Sequence, residues 1–146
     1  MKFLGKLKHT SDQDPSWVIT IPALDIITQG YSKDEAIMMA KDAIMEYLLY
    51  YFSEQVSDDL QIAIQECDEQ EVIVSTNEDK LLIALSLIKK REESGLSYRQ
   101  IAKRLGSESP NTYARYEKGI HAISMEQYDK LLKALDPDKS LVINVI

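Results

Sequence analysis

LSYRQIAKRLGSESPNTYARYEKG, residues 96–119, contains two short helical patterns separated by a turn. Ser97 and Gln100 form a capping box, in which two side chains satisfy the free backbone N–H groups at the start of a helix. Gly106 predicts the end of this helix, because glycine readily adopts the left-handed conformation that closes helices. The segment therefore begins with a helix of about two turns.

A second short helix follows the turn. Ser109 and Pro110 predict its N-cap and its first position, and Gly119 predicts its end. Tyr113 and Tyr116 lie three residues apart and are expected to face inward on this helix. Two short helices joined by a tight turn are typical of a helix-turn-helix motif, whose second helix enters the major groove of DNA.

The outer face of the second helix has side chains suited to nucleic acid. Asn111 and Arg115 belong to the residue types that make paired hydrogen bonds to adenine and guanine edges. Ser109, Thr112 and Lys118, together with the helix N-terminus, are suited to phosphate oxygens. We therefore interpret this helix as the one that reads DNA.

The same segment resembles the helix-turn-helix of Xre/Cro-type repressors. The matching residues are Ile101-Ala102, Arg104-Leu105-Gly106 and Tyr116-Glu117-Lys118-Gly119. The base-reading residues implied by the resemblance are Pro110, Asn111 and Arg115. The phosphate contacts it implies are Tyr98, Ser109, Thr112 and Lys118. Between Gly106 and Tyr116 the chain holds one residue more than is common in that family, which predicts a longer turn.

Two further helices flank the motif. Thr76-Asn77-Glu78-Asp79 predicts the start of one helix, which Gly95 ends. Ser124 with Gln127 predicts the start of another, which runs to about Leu135. We therefore predict an all-α helix-turn-helix module over residues 76–146, responsible for DNA binding and dimerisation.

Residues 1–75 predict a β-β-β-α-β module. The helix, at about 33–53, begins with a capping box of Ser32 and Glu35 and has apolar residues at period 3.6. The predicted strands are KFLGKLK (2–8), WVITI (17–21), IITQ (26–29) and EVIVS (71–75). Residues 54–70 are acidic with weak periodicity. The overall fold class is α+β.

The charge of the chain is divided unevenly. The formal net charge is −7, but residues 1–75 contain five lysines and fourteen acids, whereas residues 76–146 contain twelve basic and ten acidic residues. Such asymmetry indicates two modules with different partners. The sequence contains no apolar run long enough for a membrane span, no signal-peptide pattern and a single cysteine, Cys67, so a cytoplasmic location is expected.

The first half resembles the HicB antitoxin family. The resemblance rests on WVITIPALDIITQGYSKDEAIMMAKDAIMEYL, residues 17–48, with the Thr28-Gln29-Gly30 step and the Ser32–Ala36 helix start. It implies a partial RNase-H-like fold that sequesters HicA, a small basic toxin that cleaves mRNA, and repression of the toxin–antitoxin operon by the DNA-binding half. The expected toxin-binding residues are Asp12, Asp14, Trp17 and Asp25.

Two alternative functions remain open. One is a stand-alone Xre-like repressor with a small sensor module. The other is an RNase-H-like nuclease, which needs several carboxylates converging on metal ions. The carboxylates that invite this interpretation are Asp25, Asp34, Glu35, Asp42 and Glu46. Four of them fall on one predicted helix, mostly on its solvated face, so we expect no catalysis, no metal and no cofactor.

The C-terminal segment LVINVI, residues 141–146, is almost entirely apolar. An unpaired apolar strand is an aggregation hazard. We therefore predict that it pairs with the same strand of a second chain, giving a homodimer or a higher even oligomer with two recognition helices for a palindromic site. The residues assigned to this contact are Leu141, Val142, Ile143 and Val145.

Overall fold

The protein has an α+β fold in a computed structural model that describes residues 1–144. Within that range, five strands form one antiparallel sheet and five α-helices accompany it. The strands are β1 (Phe3–His9), β2 (Trp17–Ile21), β3 (Ile26–Gly30), β4 (Ile62–Asp68) and β5 (Glu71–Thr76). The helices are α1 (Lys33–Phe52), α2 (Asp79–Ser94), α3 (Tyr98–Arg104), α4 (Asn111–Ala114) and α5 (Met125–Leu135). Short 3₁₀ turns cover Pro22–Leu24 and Arg115–Lys118.

The sheet has the strand order β3-β2-β1-β5-β4. Alternation of side chains places Phe3 and Leu7 of β1 on the inner face, where they are buried, and Leu4, Lys6 and Lys8 on the outer face, where they are exposed. Helix α1 packs on the inner face through a buried stripe at four-residue spacing. The stripe consists of Ala36, Ala40, Ile44, Leu48 and Phe52.

The predicted start of α1 is confirmed, but the predicted capping box is only half formed, because Glu35 bonds the Tyr31 amide instead of the Ser32 amide. The Ser32 hydroxyl accepts a hydrogen bond from the Glu35 amide at 3.1 Å, and the Glu35 carboxylate accepts one from the Tyr31 amide at 2.7 Å. Gly30 allows β3 to approach the helix closely, because a Cβ at this position would lie 2.5 Å from the Ala36 amide nitrogen.

The β-β-β-α-β prediction for the first half was wrong by one strand. Strand β4 occupies Ile62–Asp68, inside the acidic stretch that showed weak periodicity. It lies at the edge of the sheet, pairs only with β5 and contains a register shift between Glu66 and Asp68. Most of its side chains are exposed, so the alternation of apolar and polar residues is weak.

Helix α2 lies between the sheet and the C-terminal helices. Every residue from Leu81 to Lys89 is buried, as expected for a helix surrounded by protein. It contacts α1, β5 and the Pro22–Leu24 turn as well as α5 and the Arg115–Lys118 turn. The buried apolar side chains of both halves form one continuous cluster. The two predicted modules therefore share α2 as a common core element.

A polar cluster joins α1 to α2. The Lys89 ammonium lies 3.8 Å from the centre of the Tyr47 ring, and the Tyr51 hydroxyl donates a hydrogen bond to Glu92 at 2.6 Å. Burial acts to lower the pKa of Lys89, but hydrogen bonding to Glu92 and the nearby tyrosines outweigh it, so the pKa is raised. Lys89 is therefore buried as a cation between the two helices.

The predicted C-terminal strand is absent from residues 141–144, the described part of that segment, in the single chain. The Leu141 amide donates a hydrogen bond to Asp129 at 3.0 Å, and Leu141 is half-buried. Val142 and Ile143 are exposed. A strand needs a backbone partner, and the single chain provides none for these four residues. The assignment of Val145 lies outside the described residues.

Candidate nucleic-acid interface

The first helix of the motif starts and ends as predicted. The Gln100 amide donates to the Ser97 hydroxyl at 3.2 Å, and the Ser97 amide donates to the Gln100 side chain at 2.8 Å. Gly106, with φ +81°, follows the helix in the left-handed conformation. Ile101 and Ala102 are fully buried, which fixes α3 against its neighbours.

The turn between the helices is organised by Ser107, which sequence reasoning missed. Its hydroxyl lies 2.6 Å from the Thr112 hydroxyl and accepts a hydrogen bond from the Ser109 amide at 3.1 Å. The second helix begins at Asn111 with Pro110 as its N-cap. The prediction of Ser109 as N-cap was therefore wrong by one residue. A serine hydroxyl often bonds the backbone two residues further along in a turn, so the spacing of Ser107 and Ser109 could have predicted this hydrogen bond.

The second helix consists of α4 continued by the 3₁₀ turn Arg115–Lys118. Tyr113 is fully buried and its hydroxyl donates to the Leu87 carbonyl at 3.3 Å. Asn111 and Arg115 are exposed, and Thr112 is half-buried. The Arg115 guanidinium lies 4.8 Å from the centre of the Tyr116 ring and donates to its hydroxyl at 2.9 Å. The predicted base-reading side chains thus share the exposed side of a helix anchored by Tyr113.

The end of this helix is packed against the first half of the chain. Gly119 has φ +70°, and a Cβ there would lie 2.7 Å from a methyl group of Leu81 and 3.3 Å from the Phe52 ring. The Gln55 side chain donates a hydrogen bond to the Lys118 carbonyl at 3.0 Å. Phe52 at the end of α1 and Gln55 just beyond it therefore support the end of the second helix of the motif.

An ion pair that sequence reasoning missed joins α2 to the second helix. The Arg91 guanidinium donates to both oxygens of Glu117, at 2.7 and 3.2 Å, and the Tyr98 hydroxyl donates to the same carboxylate at 2.9 Å. The Glu117 side chain is only 5% exposed. A pair with two parallel hydrogen bonds fixes the orientation of the second helix relative to α2. The two residues are 26 positions apart, and no local sequence pattern links them.

The charges in this network are stabilised by their neighbours. Hydrogen bonding to Glu117 raises the pKa of Arg91, and burial, reinforced by the Glu117 charge, raises the pKa values of Tyr98 and Tyr113. Arg91 is thus charged and both tyrosines are neutral at physiological pH. The Tyr98 hydroxyl, implied by the resemblance to be a phosphate contact, directs its proton to Glu117 in the free protein.

The remaining predicted phosphate contacts lie around the second helix. Ser109 and Lys118 are exposed at its two ends, and Thr112 lies beside Ser107 at its start. Ser109, Pro110 and Asn111 are consecutive at the N-terminal end of the helix, where the Ser109 amide donates to the Ser107 hydroxyl and Pro110 has no amide proton. Thr112 and Arg115 line one surface cleft, whereas Tyr98 and Lys118 line another. The structure therefore groups the predicted contacts around the second helix but divides them between two clefts.

The four candidate toxin-binding residues occupy both ends of β2. Asp12 and Asp14 are exposed in the β1–β2 loop, beside Trp17 at the start of the strand. Trp17 is half-buried against His9, with ring centres 5.1 Å apart. Asp25 follows the strand, exposed at φ +51°, and a five-residue strand spans about 14 Å. The structure therefore groups three of these residues and separates Asp25 from them.

Residues 1–144 contain no group of three or more His, Cys, Asp or Glu side chains placed to hold a metal ion. Asp34, Asp42 and Glu46 are exposed along α1, and Glu35 is used at its N-terminus. In the same described range, none of the helices is long and apolar enough to cross a membrane.

Comparison with known families agrees with the geometry of the second half. Residues 87–137 match the family described as Helix-turn-helix. This part of the chain is a helix-turn-helix domain. A search of curated proteins gave no match for the chain.

The helix-turn-helix domain begins within α2 and ends two residues after α5. Such a domain indicates DNA-binding transcription regulation. Asn111 and Arg115 lie on the exposed side of its second helix, where base contacts are made in this motif. The matched range includes Arg91 and Glu117, so the ion pair lies inside the helix-turn-helix domain.

Proposed function

We propose that this protein is a HicB-type antitoxin that sequesters a small HicA-type mRNA-cleaving toxin and represses its own operon by binding operator DNA. The observation that carries the proposal is the helix-turn-helix domain at residues 87–137, joined to an acidic α+β half. The resemblance of residues 17–48 to HicB antitoxins is the reason for proposing a HicA-type toxin as the partner. The proposal assigns no catalysis, metal or cofactor to this chain and a cytoplasmic location.

The proposed DNA contacts follow from the exposed side of the second helix. Asn111 and Arg115 read base edges, with Pro110 at the border of the contact. Ser109, Thr112, Lys118 and Tyr98 contact phosphates and fix the register of the helix on the duplex. Held in position by Tyr113 and Glu117, the helix enters the groove with little rearrangement.

Replacing Arg115 by alanine tests the base-reading role. We expect operator binding to weaken by about 1–3 kcal/mol, since one paired contact to a base is lost, and specificity to relax at one position of the operator. Affinity is measured for the operator, for single-base variants and for a random duplex. An equal loss on all three would make Arg115 a phosphate contact.

The proposed inhibition of the toxin is steric. The acidic half attracts a basic toxin and covers its RNA-binding or catalytic face, with Asp12, Asp14, Trp17 and Asp25 as candidate contacts. Because Asp25 lies at the other end of β2, a toxin that touches all four must span about 14 Å along the direction of this strand. A folded protein is large enough to do so.

The proposed dimer uses the C-terminal segment. Leu141, Val142, Ile143 and Val145 pair with the same residues of a second chain, which covers the exposed side chains of Val142 and Ile143. A two-fold dimer presents two recognition helices to a palindrome, and binding of the second half-site is then intramolecular.

Deleting residues 141–146 tests this dimer. We expect the protein to sediment as a monomer and to lose most of its affinity for a palindromic operator, while its thermal unfolding changes little. Analytical ultracentrifugation gives the mass. A dimer of unchanged stability after the deletion would place the contact elsewhere.

Co-expression with the adjacent small reading frame tests the antitoxin proposal. We expect a stable complex and rescue of cell growth. Two double variants remove the same negative charge from exposed positions. Asp12→Asn with Asp14→Asn changes the proposed contact loop and should weaken toxin binding. Asp58→Asn with Asp59→Asn changes residues outside that loop and controls for the loss of charge alone. No complex, with operator binding retained, would leave a stand-alone transcriptional repressor whose first half is a sensor.

A further inference from the structure

A basic groove lies between the second helix of the motif and α5. It is open to solvent and has a volume of about 780 Å³. Its lining includes four cationic side chains, and no acidic side chain of residues 1–144 contributes to it. The cationic residues are Arg104, Arg115, Lys130 and Lys133. In a chain of net charge −7, this concentration of positive charge marks a surface for an anionic partner.

The groove is held open by contacts along its walls. The Arg104 guanidinium donates to the carbonyls of Ala134 and Leu135, at 2.9 and 3.5 Å, and so fixes the C-terminal end of α5 to α3. The Lys133 ammonium lies 2.6 Å from the Asp129 carboxylate on the same helix. Lys130 is exposed. The charges on α5 are thus presented from a fixed helix.

The position of the groove identifies its partner. Thr112 and Arg115 line it from the second helix, while Gln127 lines it from α5. A helix inserted into the major groove, which is about 12 Å wide, has a phosphate backbone on each side. Arg115, Lys130 and Lys133 line the same groove, so phosphates next to a base contacted by Arg115 would be the anions nearest to these lysines.

We propose that this groove binds the phosphodiester backbone of duplex DNA and that Lys130 and Lys133 are phosphate contacts. This inference rests on the DNA-binding part of the proposed function and extends the interface from the motif to α5. A row of phosphates fits the site because each lysine is a point charge without a rigid directional requirement. In the free protein the Lys133 ammonium donates to the Asp129 carboxylate, and on binding it exchanges this partner for a phosphate.

The test uses the full-length protein and a 24-base-pair duplex of random sequence, because phosphate contacts also support non-specific binding. The variant replaces both residues, Lys130→Gln and Lys133→Gln. Each phosphate contact contributes about 0.9 to the slope of log affinity against log salt, so we expect the slope to become shallower by about 1.8. Between 50 and 200 mM salt, the wild-type protein should then lose about twelve-fold more affinity than the variant.

Two control variants make the result specific. Lys6→Gln with Lys8→Gln removes the same charge from exposed positions on the outer face of the sheet and should leave the slope unchanged. The variant Lys130→Arg with Lys133→Arg keeps both positive charges, so its salt-dependence slope should equal that of the wild-type protein. The inference would be overturned if the two glutamine variants changed the slope equally. It would also be overturned if the Lys130→Gln, Lys133→Gln variant changed in molecular mass, because the groove would then be a contact between two protein chains. If the wild-type protein does not bind duplex DNA, the proposed DNA-binding function fails as well.

Discussion

Replacing Glu117 by alanine is expected to lower the free energy of unfolding by about 3–5 kcal/mol, the range for removal of one partner from a buried ion pair. The substitution leaves the Arg91 charge without its carboxylate and removes the acceptor of the Tyr98 hydroxyl. The side chain of Arg91 is 23% exposed, so water offsets part of the loss and we expect a value near 3 kcal/mol.

Urea unfolding measures this effect, and Glu93→Ala is a matched control. Glu93 also pairs with a basic residue, Lys90, at 2.8 Å, but its side chain is 55% exposed. Exposed pairs of this kind contribute about 0–1 kcal/mol. If the two variants unfolded at the same urea concentration, the Arg91–Glu117 pair would have no structural role beyond that of a surface contact. DNA affinity of the folded Glu117 variant should also fall, since the pair fixes the second helix to α2.

Replacing Leu85 by alanine is expected to destabilise the protein by about 2–5 kcal/mol, because it leaves a cavity in the fully buried part of α2. Since α2 contacts both halves of the chain, both should lose stability together. Trp17, the single tryptophan, reports on the sheet through its fluorescence. Circular dichroism reports mainly on the helices. The two unfolding curves should shift to lower denaturant by the same amount.

Leu4→Ala is the control for Leu85→Ala. Leu4 is 48% exposed on the outer face of the sheet, so its truncation should cost much less. A shift of the helical signal alone, with the fluorescence transition of Trp17 unchanged, would show that the two halves unfold independently and that α2 stabilises only one of them.

Local signals in the sequence were sufficient to place the starts of α1, α3 and α5. The capping residues Ser32, Ser97 and Ser124 each accept the predicted hydrogen bond from the amide three residues later. Gly95 and Gly119 end their helices in the left-handed conformation. These signals act within four residues of each other, which is why they can be recognised without tertiary information.

Features that depend on distant residues were not predictable in this way. Strand β4 is defined by its pairing with β5 at the sheet edge, since its own pattern of apolar residues is short. Lys89 and Glu117 are charged residues that look like surface positions in the sequence, yet both are buried. Each depends on a partner from another element, namely Tyr47 of α1 and Arg91 of α2. The basic groove likewise requires α3, α4 and α5 together.

The packing of Gly119 against Phe52 and Leu81 bears on how this chain could be recombined with others. The second helix of the motif ends against residues of the N-terminal half, where the Gln55 side chain donates a hydrogen bond to the Lys118 carbonyl. A chimera that fused residues 87–137 to an unrelated N-terminal domain would lack the Phe52 ring that contacts Gly119. To keep the helix aligned, the new N-terminal domain would have to supply a ring at the Phe52 position and an amide donor near Gln55.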